Sequence, residues 1–342
     1  MLFNQYPQYR PGRGFSLVEI MIATVVGMLG ILIIMQVFLV AEGQKRTTTG
    51  GANAQENALM AMFTLERELR IAGLGLVGLG CTTVNSYNGA AAYSFNPWPV
   101  TIERDTPAAG SDRITLLYSN SPFGNIPTTL TFAANNSNQM ITVANGDGFA
   151  IGNLVIVSQS PLACTVAEIS ATKVANGSSW DLATDGRTYN PPGNNFPAGG
   201  YASGARLTNM GSMVNHEYYV ANNNLMMRDV NLPASATNPL TLVNGIVSIR
   251  AQYGRDTNAD GFVDVYDNTA PATATDVVAV RLAVVARSGQ LETIAVSPAT
   301  LVLWSGGTTG NGGAIALDAT AQLYRYRTYQ TTIPLRNVLW NN

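Results

Sequence analysis

FSLVEIMIATVVGMLGILIIMQVFLVA, residues 15–41, is the stretch of sequence that decides the fold of this chain. It carries a single charged side chain, Glu19, in a run long enough to cross a hydrocarbon core about 30 Å thick as an α-helix. The apolar core of a secretory signal peptide is about 7–15 residues long, and this run is longer. The sequence therefore predicts a helix that stays in the mature protein and anchors it in a membrane.

A short basic segment, RPGRGF at residues 10–15, precedes the apolar run. Arg10 and Arg13 would hold it on the cytoplasmic face, and Gly14 lets a protease approach the backbone because it has no Cβ. The segment resembles the prepilin leader of type IV pilins and of type II secretion pseudopilins. The resemblance implies that a prepilin peptidase removes residues 1–14 by cutting between Gly14 and Phe15, and that the new amine of Phe15 is methylated.

Glu19 is costly where it stands, because a carboxylate inside a transmembrane segment costs about 2.5–3.5 kcal/mol on insertion scales. The resemblance implies that Glu19 pairs with the amine of Phe15 on a neighbouring subunit and sets the register of a growing filament. The alternative is local. Glu19 lies about 6 Å by helical rise from the mature end, at headgroup level, where it would favour the N-terminus of its own helix.

The amino-acid composition limits which partners, fold class and compartment are expected. Only 12% of the 342 residues are charged and the net charge is −2, so nucleic acid is not an expected partner. Abundant Gly, Asn, Ser and Thr are typical of a turn-rich β protein outside the cytoplasm. Cys81 and Cys164 are the two cysteines. We expect them to form a disulfide in an oxidising compartment, with two unrelated buried thiols as the alternative.

The pattern beyond residue 41 predicts an α+β protein in which the helix is followed by many strands. The resemblance to the pilins implies a type IV pilin-like plan, with a long N-terminal helix over residues 15–73 packed on a β-rich periplasmic head. Thr and Gly at 47–51 favour a bend. An apolar stripe then returns at helical spacing, at Leu59, Met62, Leu65, Leu69 and Ala72. Short apolar runs broken by Gly, Asn and Pro predict strands, in a variable part over residues 74–210 and a more regular C-terminal part over residues 211–342.

Three segments resemble the PilW family of minor pilins. They are residues 55–57 with 69–73, residues 243–253, and residues 331–337. The resemblance implies a subunit of the inner membrane, with a single span and a periplasmic head, that later enters the pilus fibre. Its partners would be prepilin peptidase, other minor pilins, the major pilin and a tip adhesin. A J-like type II secretion pseudopilin is one alternative. A membrane-tethered adhesin or sugar-binding module, whose residues 82–210 would bind a ligand alone, is another.

The acidic loop at residues 256–267 is the sharpest candidate site beyond the leader. Side-chain oxygens of Asp256, Asn258, Asp260, Asp264 and Asp267, with the backbone carbonyl of Phe262, fall at the ligand positions of a calcium loop. The short Asp267 departs from the usual Glu, and the flanks are strand-like rather than helical. The alternative is a polar hairpin turn.

Enzyme activity is not predicted from the sequence. The one histidine, His216, lies in an alternating, strand-like run, and the Gly-x-Ser-x-Gly pattern of a nucleophile elbow is absent.

Overall fold

The computed structural model describes residues 14–76, 78–104, 110–123, 126–137, 139–231, 239–271, 273–308 and 310–339. The leader residues 1–13, with Arg10 and Arg13, lie outside the described residues. The chain divides into two compact units, Met1–Gly50 and Gly51–Asn342.

Besides two short 3-10 helices, Ala274–Asp276 and Ala321–Leu323, the described residues form two α-helices and twenty strands. They are α1 Leu17–Ile71, β1 Val84–Tyr87, β2 Ala92–Phe95, β3 Val100–Glu103, β4 Arg113–Tyr118, β5 Thr128–Thr129, β6 Ile141–Val143, β7 Leu154–Ser158, β8 Cys164–Glu168, β9 Val174–Asn176, β10 Ser179–Leu182, β11 Arg206–Gly211, β12 Val214–Ala221, β13 Asn224–Asp229, β14 Leu240–Asn244, β15 Ile246–Arg255, β16 Val265–Asp267, β17 Val277–Arg287, β18 Thr300–Val302, β19 Ala314–Ala316, β20 Tyr326–Pro334 and α2 Arg336–Leu339.

The bend expected at residues 47–51 is wrong, because α1 runs without interruption from Leu17 to Ile71. Thr and Gly each weaken a helix by at most about 1 kcal/mol, and tertiary packing routinely overrides that preference. An i,i+4 ion pair between Arg46 and Glu42, at 3.3 Å, supports the turn just before this patch. The segments before and after residues 47–51 are both strongly helical, so residues 47–51 are helical as well.

The buried face of α1 consists mostly of small and apolar side chains at helical spacing: Ala54, Ala58, Ala61, Met62, Leu65, Glu68 and Leu69. Leu59 was expected in this stripe but is 46% exposed. Its neighbour Ala58 occupies the centre of the face, and one residue turns a helix by about 100°. Alanines at the centre let the sheets approach the helix closely.

The C-terminal end of α1 is fixed by residues distant in sequence. Gly73 takes a positive φ of 85°, which suits a glycine after a helix, and its N–H donates to the Leu117 carbonyl at 2.9 Å. The side-chain amide of Asn337 donates to the carbonyls of Ile71 at 2.9 Å and Ala72 at 3.2 Å. The last turn of α1 is therefore held by the end of the chain.

Two sheets share the core that covers α1. One has the order β14-β13-β12-β4-β3 and the other β16-β15-β17-β20. Ile114 and Leu116 of the first sheet, with Val280 and Leu282 of the second, belong to the same buried cluster as Leu65. Strands β3 and β4 come from residues 74–210 and pair into a sheet of strands from 211–342, so position 210 does not separate two folded units.

The rest of residues 74–210 builds a layer with buried clusters of its own. Its main sheet has the order β2-β1-β8-β7-β11-β5, in which β1 and β8 are parallel. A small sheet, β6-β10-β9, packs beside it through Val143 and Leu182. The head thus combines a two-sheet core against the helix with an inserted β layer.

Candidate functional site

The start of α1 is a capped helix terminus. Ser16 precedes the first helical residue, and its hydroxyl oxygen accepts a hydrogen bond from the Val18 N–H at 3.3 Å. The Glu19 carboxylate accepts from the Ser16 N–H at 3.5 Å. This reciprocal pattern resembles a capping box, except that the Ser16 hydroxyl bonds the second helical N–H, of Val18, rather than the third. Sequence reasoning missed Ser16, although the Ser-x-x-Glu signature at residues 16–19 marks it.

The predicted cleavage point is open to an approaching protein. Phe15 is 80% exposed, and a Cβ placed on Gly14 would have no atom within 4 Å. Glu19 makes no ion pair within the described part of the chain, and the 3.5 Å contact to Ser16 is long for a hydrogen bond to a carboxylate. The Glu19 carboxylate can therefore accept a further hydrogen bond. Its predicted pairing with a neighbouring subunit and its local role at the N-terminus of its own helix are compatible in one chain.

The first half of α1 presents an uncovered apolar surface. Its large apolar side chains, from Leu17 to Val40, are each more than half exposed. A helix with this length and composition can cross a membrane, and full exposure separates it from the core helix of a soluble protein. Each uncovered Leu, Ile or Val loses about 1.5–3 kcal/mol relative to burial. The segment therefore requires a bilayer or neighbouring helices around it.

Cys81 and Cys164 form a disulfide, with an S–S distance of 1.95 Å and a Cα–Cα distance of 5.8 Å. Cys164 lies on β8 with no exposed surface, opposite Val84 of β1. Cys81 lies between the end of α1 and β1. The bond therefore ties the segment leaving the helix to the inserted β layer.

The acidic loop folds around Asp256, which is 7% exposed. One carboxylate oxygen of Asp256 accepts from the N–H groups of Asn258, Ala259 and Asp260 at 2.7–3.3 Å, and the other accepts from Gly261 at 2.7 Å. Most of the acceptor capacity of this carboxylate is used by the loop backbone. The loop is thus organised by its own hydrogen bonds.

The other carboxylates of the loop differ in how far hydrogen bonds and ion pairs already occupy their oxygens. Asp264 accepts from the N–H and hydroxyl of Thr257, at 2.7 and 2.6 Å, and these bonds lower the pKa of its carboxyl below the usual value. Asp260 is exposed and accepts from Phe262 N–H at 2.8 Å. Asp267 is on β16 in a two-point ion pair with Arg255, so it does not face the loop as a free twelfth-position ligand.

Among the described residues, no cluster of three or more His, Cys, Asp or Glu side chains is arranged to hold a metal ion. Asp256, Asn258, Asp260, Asp264 and the Phe262 carbonyl are the groups that could hold calcium after local rearrangement. Calcium binding therefore stays a prediction from the sequence.

His216, the one histidine, lies on strand β12 as the sequence predicts, opposite Asp229 of β13.

Comparison with known proteins finds matches for the start of the N-terminal helix and for the C-terminal part of the head. Residues 10–35 match the prokaryotic N-terminal methylation motif, and residues 215–337 match the family described as type IV pilus-assembly protein W. A type IV-like pilin from Thermus thermophilus aligns with 83% of this chain and 96% of its own, at 10% identity and a TM-score of 0.37. No curated protein matches significantly.

The matched regions coincide with the features that the sequence singled out. The methylation motif covers the leader junction and the first part of α1, and the second match begins in β12 and extends to the start of α2, through the sheet that packs on the helix. The predicted α+β plan of a long apolar helix with a strand-rich head is confirmed. A pilus-assembly family is structural, so no enzyme activity is assigned. The chain therefore carries an N-terminal methylation motif at the start of its apolar helix and, over residues 215–337, a region that matches the family described as type IV pilus-assembly protein W.

Proposed function

We propose that this chain is a type IV pilin, a minor subunit that prepilin peptidase processes and that takes part in priming the assembly of the pilus. The observation that carries the proposal is the exposed apolar run over residues 15–41, with Glu19 as its one charge, directly after Gly14. Such a surface needs a bilayer before assembly and neighbouring apolar helices afterwards. The inner membrane provides the first environment and the pilus fibre provides the second.

The head belongs on the periplasmic side of the inner membrane in this proposal. The basic leader favours the cytoplasmic face, and the apolar run spans the bilayer once. A disulfide between Cys81 and Cys164 is suited to an oxidising compartment such as the periplasm. After cleavage, residue 15 becomes the N-terminus and the head remains on the far side of the membrane.

Glu19 supplies the recognition step. Among the residues that the structure describes, its carboxylate accepts one long hydrogen bond, from the Ser16 N–H at 3.5 Å. The free amine that cleavage creates at Phe15 of a neighbouring subunit is a cation, and a charge-assisted bond to it is shorter and stronger than a neutral one. Pairing in a medium of low dielectric would fix the axial register between two subunits. The partners are other minor pilins and the major pilin, with an adhesin at the tip.

The test replaces Glu19 with an uncharged isostere in the native host. We expect Glu19→Gln to lower the amount of this protein in sheared fibres about tenfold, since a charged pair in low dielectric is lost. The protein should accumulate in the membrane fraction instead. Glu42→Gln is the matched control, because Glu42 is on the same helix in an exposed pair with Arg46.

Equal amounts of protein in fibres from Glu19→Gln and wild-type cells would overturn the assembly role. Cross-linking of the wild-type head in the same cells separates the two filament systems. Capture of pilus pilins supports the proposal, and capture of secretion pseudopilins alone would reassign the chain to type II secretion.

A further inference from the structure

A groove of about 320 Å³ crosses the outer face of the sheet formed by β3, β4, β12 and β13. Strand residues alternate between faces. Ile114 and Leu116 of β4 point into the core shared with α1, so Thr115 and Leu117 point to the other side and line the groove. This face is separate from the helix and from the acidic loop. Its volume is at the lower end of the range for small-molecule sites.

The floor of the groove is a row of polar side chains from four adjacent strands. Thr101 of β3 lies opposite Thr115 of β4, Thr115 opposite Glu217 of β12, and Glu217 opposite Arg228 of β13. Glu217 is 5% exposed and accepts from Arg228 at 3.0 Å. Arg113 adds a second guanidinium to Glu217 at 3.4 Å. The buried carboxylate is therefore neutralised and the floor is rigid.

Aromatic rings form one wall. Phe95 and Trp98 both line the groove and are half-buried, so a face or edge of each remains available to a ligand. Phe95 is held by stacking against Tyr93, with ring centroids 5.9 Å apart. Trp98 stands between Pro97 and Pro99, which restrict the backbone on both sides. The wall is preorganised before anything binds.

Asn215 adds an amide to the groove. It lines the groove and its residue is 4% exposed. Its backbone carbonyl accepts from the Val230 N–H at 2.8 Å. The side-chain amide, with two donors and one acceptor, can therefore serve the hydroxyls of a ligand.

We infer that this groove binds a neutral sugar. A sugar ring has an apolar C–H face that packs on an aromatic ring and a rim of hydroxyls that both donate and accept. Trp98 offers the apolar contact, while Asn215, Thr101, Thr115 and the exposed Glu103 offer partners to hydroxyls.

Charge and geometry favour this class of ligand over two others. The guanidiniums of Arg113 and Arg228 both face Glu217, and Glu103 adds a second carboxylate, so the charges around the groove balance and do not favour an anion such as phosphate or sulfate. An extended peptide binds by adding to the backbone at an open strand edge. This floor consists of side chains on a sheet face, which suits a compact polyol. The inference goes beyond pilus assembly, since it places a glycan contact on the pilin head.

The experiment uses the full chain in lipid nanodiscs, because glycoside detergents would themselves compete for the site. An array of neutral hexose and N-acetylhexosamine oligosaccharides, with sulfated and sialylated counterparts, identifies a binder. Isothermal titration then measures its dissociation constant. We expect Trp98→Ala and Asn215→Ala each to weaken binding at least about tenfold. Trp180→Ala is the control, since Trp180 is a half-buried tryptophan of the small sheet, beside Lys173, and should bind as wild type.

Trp98→Phe keeps a ring and guards against a folding artefact, so it should retain part of the affinity with an unchanged thermal midpoint. Fibres from cells carrying Trp98→Ala should contain wild-type amounts of the protein, which separates this site from assembly. No binding of any neutral glycan at about 10 mM would overturn the inference. So would a preference for anionic glycans, or unchanged affinity in both Trp98→Ala and Asn215→Ala.

Discussion

Asp112 and Arg250 show how single residues join the two sheets of the head. Both are fully buried, and Arg250 donates to the Asp112 carboxylate at 2.8 Å. The other oxygen of Asp112 accepts from the Ala251 N–H at 2.9 Å, and its own N–H donates to the Ile249 carbonyl at 2.9 Å. The residue that precedes β4 is thereby fixed to the middle of β15.

Removing that carboxylate should be strongly destabilising. Asp112→Asn removes the negative charge that faces the buried guanidinium of Arg250, and removing one charge of a buried ion pair typically costs about 3–5 kcal/mol. Denaturant unfolding of the full chain measures the change. Asp147→Asn is the control, because Asp147 pairs with Lys173 at 3.1 Å with 80% of its side chain exposed, and such pairs contribute about 0–1 kcal/mol. Similar small losses in both variants would show that the Asp112 pair does not hold the sheets together.

Calcium binding by the acidic loop makes a prediction about two of its acids. Asp260 is exposed on the loop, whereas Asp267 is committed to Arg255 on β16. We expect calcium to stabilise the protein through Asp256, Asp260 and Asp264, so Asp260→Ala should abolish the thermal shift on adding calcium. Asp267→Asn should leave it in place. Absence of both heat and thermal shift on titrating the wild-type chain would remove the metal site and leave a polar hairpin turn.

At the scale of elements, α1 depends on where its glycines lie. Gly51 is inside the regular helix, and a Cβ there would meet only Arg327, at 3.9 Å. Gly73 lies just past the end of the helix at φ 85°, where a Cβ would come within 3.1 Å of Pro99. The same residue type therefore has opposite roles at the two positions.

The two alanine substitutions should consequently change stability in opposite directions. Gly51→Ala should raise the free energy of unfolding by about 0.5–1 kcal/mol, because alanine loses less backbone entropy in a helix. Gly73→Ala should lower it by about 1–2 kcal/mol, because an L-residue is strained in the left-handed region. Denaturant melts of both variants against wild type provide the comparison. A stabilising Gly73→Ala would mean that the helix does not end as described.

At the scale of the whole molecule, the sequence predicts the features that lie within one continuous segment. The apolar run, the leader junction and the helical stripe are contiguous or periodic patterns, and each was readable from one segment. The bend at 47–51 was wrong because packing outweighed propensity. The pairing of β4 with β12 was not readable, since nothing within Arg113–Tyr118 identifies a partner about a hundred residues away. The groove needs four such strands, so neither Trp98 nor Asn215 could be singled out beforehand.

The central claim is that the apolar helix is retained after processing at Gly14 and becomes part of a fibre. The most direct measurement is N-terminal mass spectrometry of this protein recovered from sheared fibres of its native host. The prediction is a chain that begins at Phe15 with a methylated amine. A chain that still begins at Met1, or one that never enters the fibre fraction, would contradict the claim.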